Sequence, residues 1–191
     1  MDYVKSAEIS ANRIIIIAAA AISVLTVIIC LVLILIRRHK PQTGDLLIVR
    51  ETYMSWVFGL ALWFEVAIIL YYVFVMPERL LVNANSYINT SVFMLAGAVT
   101  GSAAMLNYFV KCTVVREKEL TDISLLGRQK TLKWVQIKSV SVYMGRRLIL
   151  VSKENTTIKV GGEPKSFRKF LRLAAEKLPK GIDRKPLGKF I

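Results

Sequence analysis

The sequence predicts an α+β membrane protein: three transmembrane helices, then a small antiparallel β-sheet or partial barrel, capped by a C-terminal amphipathic helix. Three observations carry this. Before Lys111 the chain holds three long apolar runs. From Lys111 onward it carries 20 Lys and Arg against 7 Asp and Glu, nearly the whole of its +14 net charge. Past Cys112, solid hydrophobicity gives way to short stretches of period-two alternation and then to one basic stretch at helical spacing. Over 191 residues, this asymmetry predicts a transmembrane domain (1–112), a cytoplasmic domain (113–179) and a flexible basic tail (180–191).

The first run, Ile14 to Ile36, lies uncharged between Arg13 and Arg37. As a helix it would reach about 34 Å at ~1.5 Å per residue, enough to cross a bilayer. It is too long for the core of a signal peptide and no small-residue cleavage pattern follows it, so it reads as an uncleaved anchor. The second run covers about 53–76 and the third about 91–110. Tyr53, Trp56, Tyr71, Tyr72, Tyr87 and Tyr108 fall near their ends, where amphipathic rings favour the interface. The linker after the first span holds Arg37, Arg38, Lys40 and Arg50, whereas the linker after the second holds Arg79 alone. Basic loops stay inside, so the N-terminus is expected outside and the C-terminal domain in the cytoplasm of a cell-membrane protein.

Within the spans, Glu65 is the one acidic residue and lies near the middle of the second. An acid there is costly and ordinarily faces other helices or water. Thr26 and Thr100 lie at similar depth, and the expectation is that Glu65 is buried between helices with one of these hydroxyls as partner. It then serves either as a hydrogen-bonding staple or as part of a proton or ion pathway. Gly97 and Gly101 stand four apart in the third span, a spacing that lets two helix backbones approach closely. The cysteines, Cys30 and Cys112, have no metal-ligand spacing and read as small apolar packers, with Cys112 placed where acylation could occur.

In the C-terminal part, strands are expected around Thr113 to Glu117, Leu120 to Leu125, Lys130 to Trp134, Ser139 to Met144, Arg147 to Ser152 and Thr156 to Val160. Gly127, Gly145, the Lys153-Glu154-Asn155 corner and Gly161-Gly162-Glu163-Pro164 supply the turns. A helix follows over about 166–178. It sets Phe167, Phe170, Leu171, Ala174 and Leu178 on one stripe and Arg168, Lys169, Arg172 and Lys177 on the remainder, a pattern that docks on the sheet and leaves its charged side free for lipid.

Leu125-Leu126-Gly127-Arg128 followed by Leu132-Lys133-Trp134-Val135-Gln136-Ile137-Lys138-Ser139-Val140-Ser141-Val142 resembles the bacterial pleckstrin-homology-like domains. In these a hairpin leads to an aromatic or apolar residue, an Ile three positions later and a Val-rich strand. The likeness continues through Leu148 to Val151, Thr157 to Val160 and the terminal helix, covering roughly Thr113 to Pro179. It implies a curved antiparallel sheet capped by a helix, carried on a membrane-anchored protein, with Trp134 and Ile137 in the core. The six strands expected are one fewer than the seven of the eukaryotic fold. Arg128, Lys130 and Lys133 sit near where eukaryotic relatives hold inositol phosphates, but the full basic signature is missing and phosphoinositide binding is not carried over.

No catalytic, cofactor-binding or metal-binding pattern stands out. His39 lies in the basic flank Arg37-Arg38-His39-Lys40, and Gly161 to Ser166 lacks the spacing of a phosphate loop. Asn89-Thr90-Ser91 and Asn155-Thr156-Thr157 read as chance glycosylation triplets. Nucleic acid is not an expected partner, because aromatic interleaving and reader motifs are missing. The expectation is a non-catalytic membrane-anchored protein whose basic cytoplasmic domain meets anionic phospholipid headgroups or an unknown protein partner. The alternative is a small transport or channel component that uses Glu65.

Overall fold

A computed structural model describes residues 2–77, 84–143 and 147–188. Arg79, Met144, Gly145 and the last three residues lie outside them. Among the described residues, three helices are long and apolar enough to cross a membrane: α1 (Asp2–Arg37), α2 (Met54–Val75) and α3 (Ala84–Phe109). The protein is therefore built as a multi-pass membrane protein. The chain divides into two units, a helical one of residues up to Ile36 with Trp56–Leu106, and a second of Arg37–Ser55 with the chain from Asn107 onward.

In the helical unit Ile16, Ala19 and Ala20 of α1, Val66 and Val73 of α2 and Met94 and Ala98 of α3 form the core. Outward positions such as Ile14, Leu25, Phe64 and Phe93 are exposed and apolar, the surface a lipid solvent requires. Helices α2 and α3 meet through glycine. A Cβ on Gly101 would lie 2.7 Å from Trp63 Cδ1 and 3.1 Å from the Gly59 carbonyl, and one on Gly97 would lie 3.0 Å from Val66 Cγ2. Gly59, on the facing helix, is the partner in this close approach. Trp63 Nε1 donates to Ser102 Oγ (3.3 Å) across the same contact.

Glu65 does not sit between the helices. It is exposed, Thr26 Oγ1 donates to the Ile22 carbonyl of its own helix (2.8 Å), and Thr100 is exposed too. Equal depth in a bilayer does not fix direction around a helix axis. The inward stripe of α2 is Gly59, Val66 and Val73, and at about 100° per residue a residue next to Val66 points away from it.

Among its described residues the second unit contains seven strands, and the first comes from the linker between α1 and α2. Strand β1 (Asp45–Arg50) pairs antiparallel with β2 (Cys112–Arg116), which is followed by β3 (Glu119–Ile123) and β4 (Gln129–Lys133) in a sheet of order β1-β2-β3-β4. A 3-10 turn, Trp134–Gln136, leads to a second antiparallel sheet of β5 (Ile137–Tyr143), β6 (Arg147–Ser152) and β7 (Thr157–Val160). The expected boundary at 112/113 is thus replaced by one that gathers 37–55 into the soluble unit. The cause is visible in burial: Val49 is 1 % exposed and belongs to the same core as Val115, Leu120, Trp134, Ile137 and Phe170.

Helix α4 (Pro164–Lys177) closes this core with Phe167, Phe170, Leu171 and Ala174. Its entry is tied to β1, since Glu163 N–H donates to the Arg50 carbonyl (3.0 Å). The tail is not free over its described residues. Ile182 packs on the core, and Leu187, in the short α5 (Lys185–Gly188), is 2 % exposed. Two apolar residues among Pro, Gly and Lys suffice to dock it.

Gly162 holds the seam between β1 and α4. Its φ is +156°, and a Cβ there would lie 1.9 Å from the Arg50 carbonyl oxygen. Gly162→Ala is therefore expected to destabilise the soluble unit by about 1–3 kcal/mol, read as a lowered thermal midpoint of the full chain in detergent. An unchanged midpoint would show that β1 is not seated against this turn.

Candidate functional site

The four-stranded sheet has two unlike ends. At one of them register aligns Arg50, Cys112, Ile123 and Gln129 across β1 to β4. Arg50 is four residues before α2 and Cys112 three residues after α3, so this is the end where the chain passes into and out of the apolar helices. The far end holds Asp45, Arg116, Glu119 and Lys133.

At the near end Arg50 and Glu51 organise the charges. Arg50 donates through Nη1 to the Phe109 carbonyl (2.8 Å), capping the last turn of α3, and through Nη2 to the His39 carbonyl (2.9 Å). Glu51 accepts from Lys111 Nζ at 2.9 Å and from Arg147 Nη2 at 3.3 Å. Arg38 lies over the Phe109 ring at 5.5 Å. Next to this group Thr113 Oγ1 donates to Asp122 Oδ1 (3.3 Å), while burial raises the Asp122 pKa above the ordinary carboxylate range. Cys112 is buried, and that burial pushes its thiol up to about 11. A thiol held protonated and covered is a packing group and a poor acceptor for acylation.

Also at this end is the β3–β4 turn. Ser124 N–H donates to the Arg128 carbonyl (2.9 Å), Gly127 N–H to the Ser124 carbonyl (2.9 Å) and Arg128 N–H to Ser124 Oγ (3.1 Å). Gly127 takes a φ of +75°, which its missing Cβ allows. Arg37, the final residue of α1, donates from Nη1 to the Leu126 carbonyl and packs its Cδ toward Gly127.

The basic residues singled out by sequence separate between the two ends. Arg128 and Lys130 are exposed beside the near-end turn. Arg168, Lys169 and Arg172 are exposed along α4. Lys133 and Lys177 lie at the far end, where Lys177 pairs with Glu117. There they line an apolar-floored groove of about 710 Å3 together with Arg116, Lys118, Trp134 and Val135. His39 bonds Asp45 at 2.9 Å; burial opposes the Asp45 charge, yet the hydrogen bonds from His39, the Gln42 amide and Arg116 hold its pKa below the ordinary range. Sequence reasoning did not find Glu51 or Lys111 as a pair, and their separation of 60 residues leaves no local signal for it.

Compared with family models, with curated proteins and with solved structures, the chain matches none.

Because Glu51 serves two partly exposed cations, Glu51→Gln should cost about 1 kcal/mol at low salt and less as salt screens the pairs. Thermal unfolding of wild type and variant at low and high ionic strength reads this, with the gap between them narrowing.

Proposed function

We propose that this is a non-catalytic, membrane-anchored interaction module, whose basic domain lies on the cytoplasmic side and meets anionic phospholipid headgroups. The observation that carries the reading is the placement of Arg37, Arg38, Arg50, Lys111, Arg128, Lys130 and Arg147 at the end of the soluble unit where the chain joins its apolar helices. Of these, Lys111 and Arg147 are partly neutralised by Glu51, and Arg128 and Lys130 are in none of the unit's ion pairs among the described residues. Each exposed cation near an anionic surface contributes on the order of 1 kcal/mol. The Lys and Arg surplus of the first linker over the second supports the cytoplasmic side.

The seven strands in sheets of four and three, followed by a helix that closes the core, support the pleckstrin-homology-like resemblance better than six strands would. In this reading the first strand is supplied from between two spans. The far-end groove supports a second reading, in which a protein partner docks between Lys133 and Lys177. The transport alternative has less to rest on, since Glu65 faces outward and would have to act between copies. Liposome flux of wild type against Glu65→Gln tests it, and equal absence of flux removes it.

The lipid reading is tested with the full chain in nanodiscs of mixed zwitterionic and anionic lipid, measuring enrichment of the anionic component around the protein. Arg128→Glu combined with Lys130→Glu should reduce that enrichment several-fold, and rising salt should do the same. Lys133→Glu at the far end should leave it unchanged. Enrichment that ignores both the near-end reversal and salt would contradict the lipid reading and turn attention to the groove.

A further inference from the structure

We propose that the β3–β4 turn is a membrane wedge, which sets Leu126 into the interfacial layer of the bilayer with Arg37, Arg128 and Lys130 at the level of the phosphates. The inference deepens the lipid reading above and rests on it for the anchored domain's place beside the headgroups.

Strand direction is the first support. Strand β1 ends four residues before α2 begins, and the antiparallel ladder makes β2 run away from that end of the sheet and β3 run back to it. Ile123 pairs with Cys112, three residues beyond α3. The turn that follows Ile123 then lies beyond that row, at the end of the sheet where the chain leaves for α2 and returns from α3. Arg37 gives a second, separate support. It closes the apolar run of α1, which fixes it at the edge of a span, and its guanidinium holds the Leu126 carbonyl. Two separate stretches of chain thus bring this turn beside residues that adjoin the apolar runs in sequence.

The chemistry of the turn fits that level. Leu126 is 65 % exposed, among the most exposed large apolar residues of the soluble unit. It is not loosely presented, because three hydrogen bonds through Ser124 and the left-handed Gly127 fix the loop around it. A rigid turn loses little conformational freedom when it inserts. Arg128 and Lys130 flank it, exposed, so that an apolar tip is ringed by cations, the arrangement that suits a layer of acyl chain beneath phosphate.

The test uses full-length protein with Leu126→Cys or, as control, Lys153→Cys in the exposed β6–β7 turn. Cys30 and Cys112 are buried, so an environment-sensitive fluorophore goes to the introduced thiol. Each labelled protein is reconstituted into zwitterionic and into mixed anionic bilayers containing lipid with a nitroxide high on its acyl chain. The label at 126 is expected to emit further to the blue than the label at 153 and to be quenched several-fold more strongly. Equal, water-like emission and weak quenching at both positions would overturn the wedge. Insertion at 126 in both bilayers without anionic enrichment would sustain the wedge while the headgroup reading fails. Enrichment with a water-exposed label at 126 would do the reverse.

Discussion

Pairing of β1 with β2 is the interaction on which the rest of the soluble unit depends. Without β1, the first sheet would end on β2, leaving Thr113, Val114 and Val115 as an open edge that seeks another strand. Val49 and Leu47 would also be withdrawn from the core, at roughly 1.5–3 kcal/mol for each fully buried aliphatic side chain. The Arg50 carbonyl that receives the Glu163 amide, and the Arg50 guanidinium that caps α3, go with the same strand. A six-residue segment between two spans thus supplies an edge, part of a core and two tethers.

That arrangement has a consequence for the anchored domain. Its chain is continuous with the apolar helices at three places, Arg37, the residues after Arg50 and the residues before Cys112; the last two adjoin one end of the first sheet, while the stretch after Arg37 leads to Asp45 at the other. The two ends also pair their charges differently, although Lys118 and Lys133 stay exposed at the far end. Exposed cations flank the near-end turn, while Lys177 at the far end is neutralised by Glu117 and Asp45 is shared between His39 and Arg116.

Much of this was legible in the residues. Long uncharged runs announce spans without help from tertiary structure, and the β6 bounds, Arg147–Ser152, coincide with the alternation that predicts them. The stripe Phe167, Phe170, Leu171 and Ala174 is buried as its spacing implies. Strand β1 was not read, although Leu46 to Val49 is an apolar run between Gly44-Asp45 and Arg50-Glu51, because a short segment between two spans reads first as a charged loop. Glu65 was misplaced because sequence gives depth along a helix and not the azimuth at which neighbours pack. The docking of Leu187 depends on a groove formed by residues far earlier in the chain, and no local pattern announces it. At the site, the basic residues themselves were identified, but their division between two ends of the sheet comes only from register.

Hydrogen exchange of the full-length protein in a membrane mimetic tests the seam most directly. If β1 is an integral strand, amides of residues 45–50 should exchange as slowly as those of β2 and β3, their protection set by unfolding of the whole soluble unit. Rapid exchange across 45–50, like that of an open loop, with β2 and β3 still protected, would contradict the incorporation of this segment.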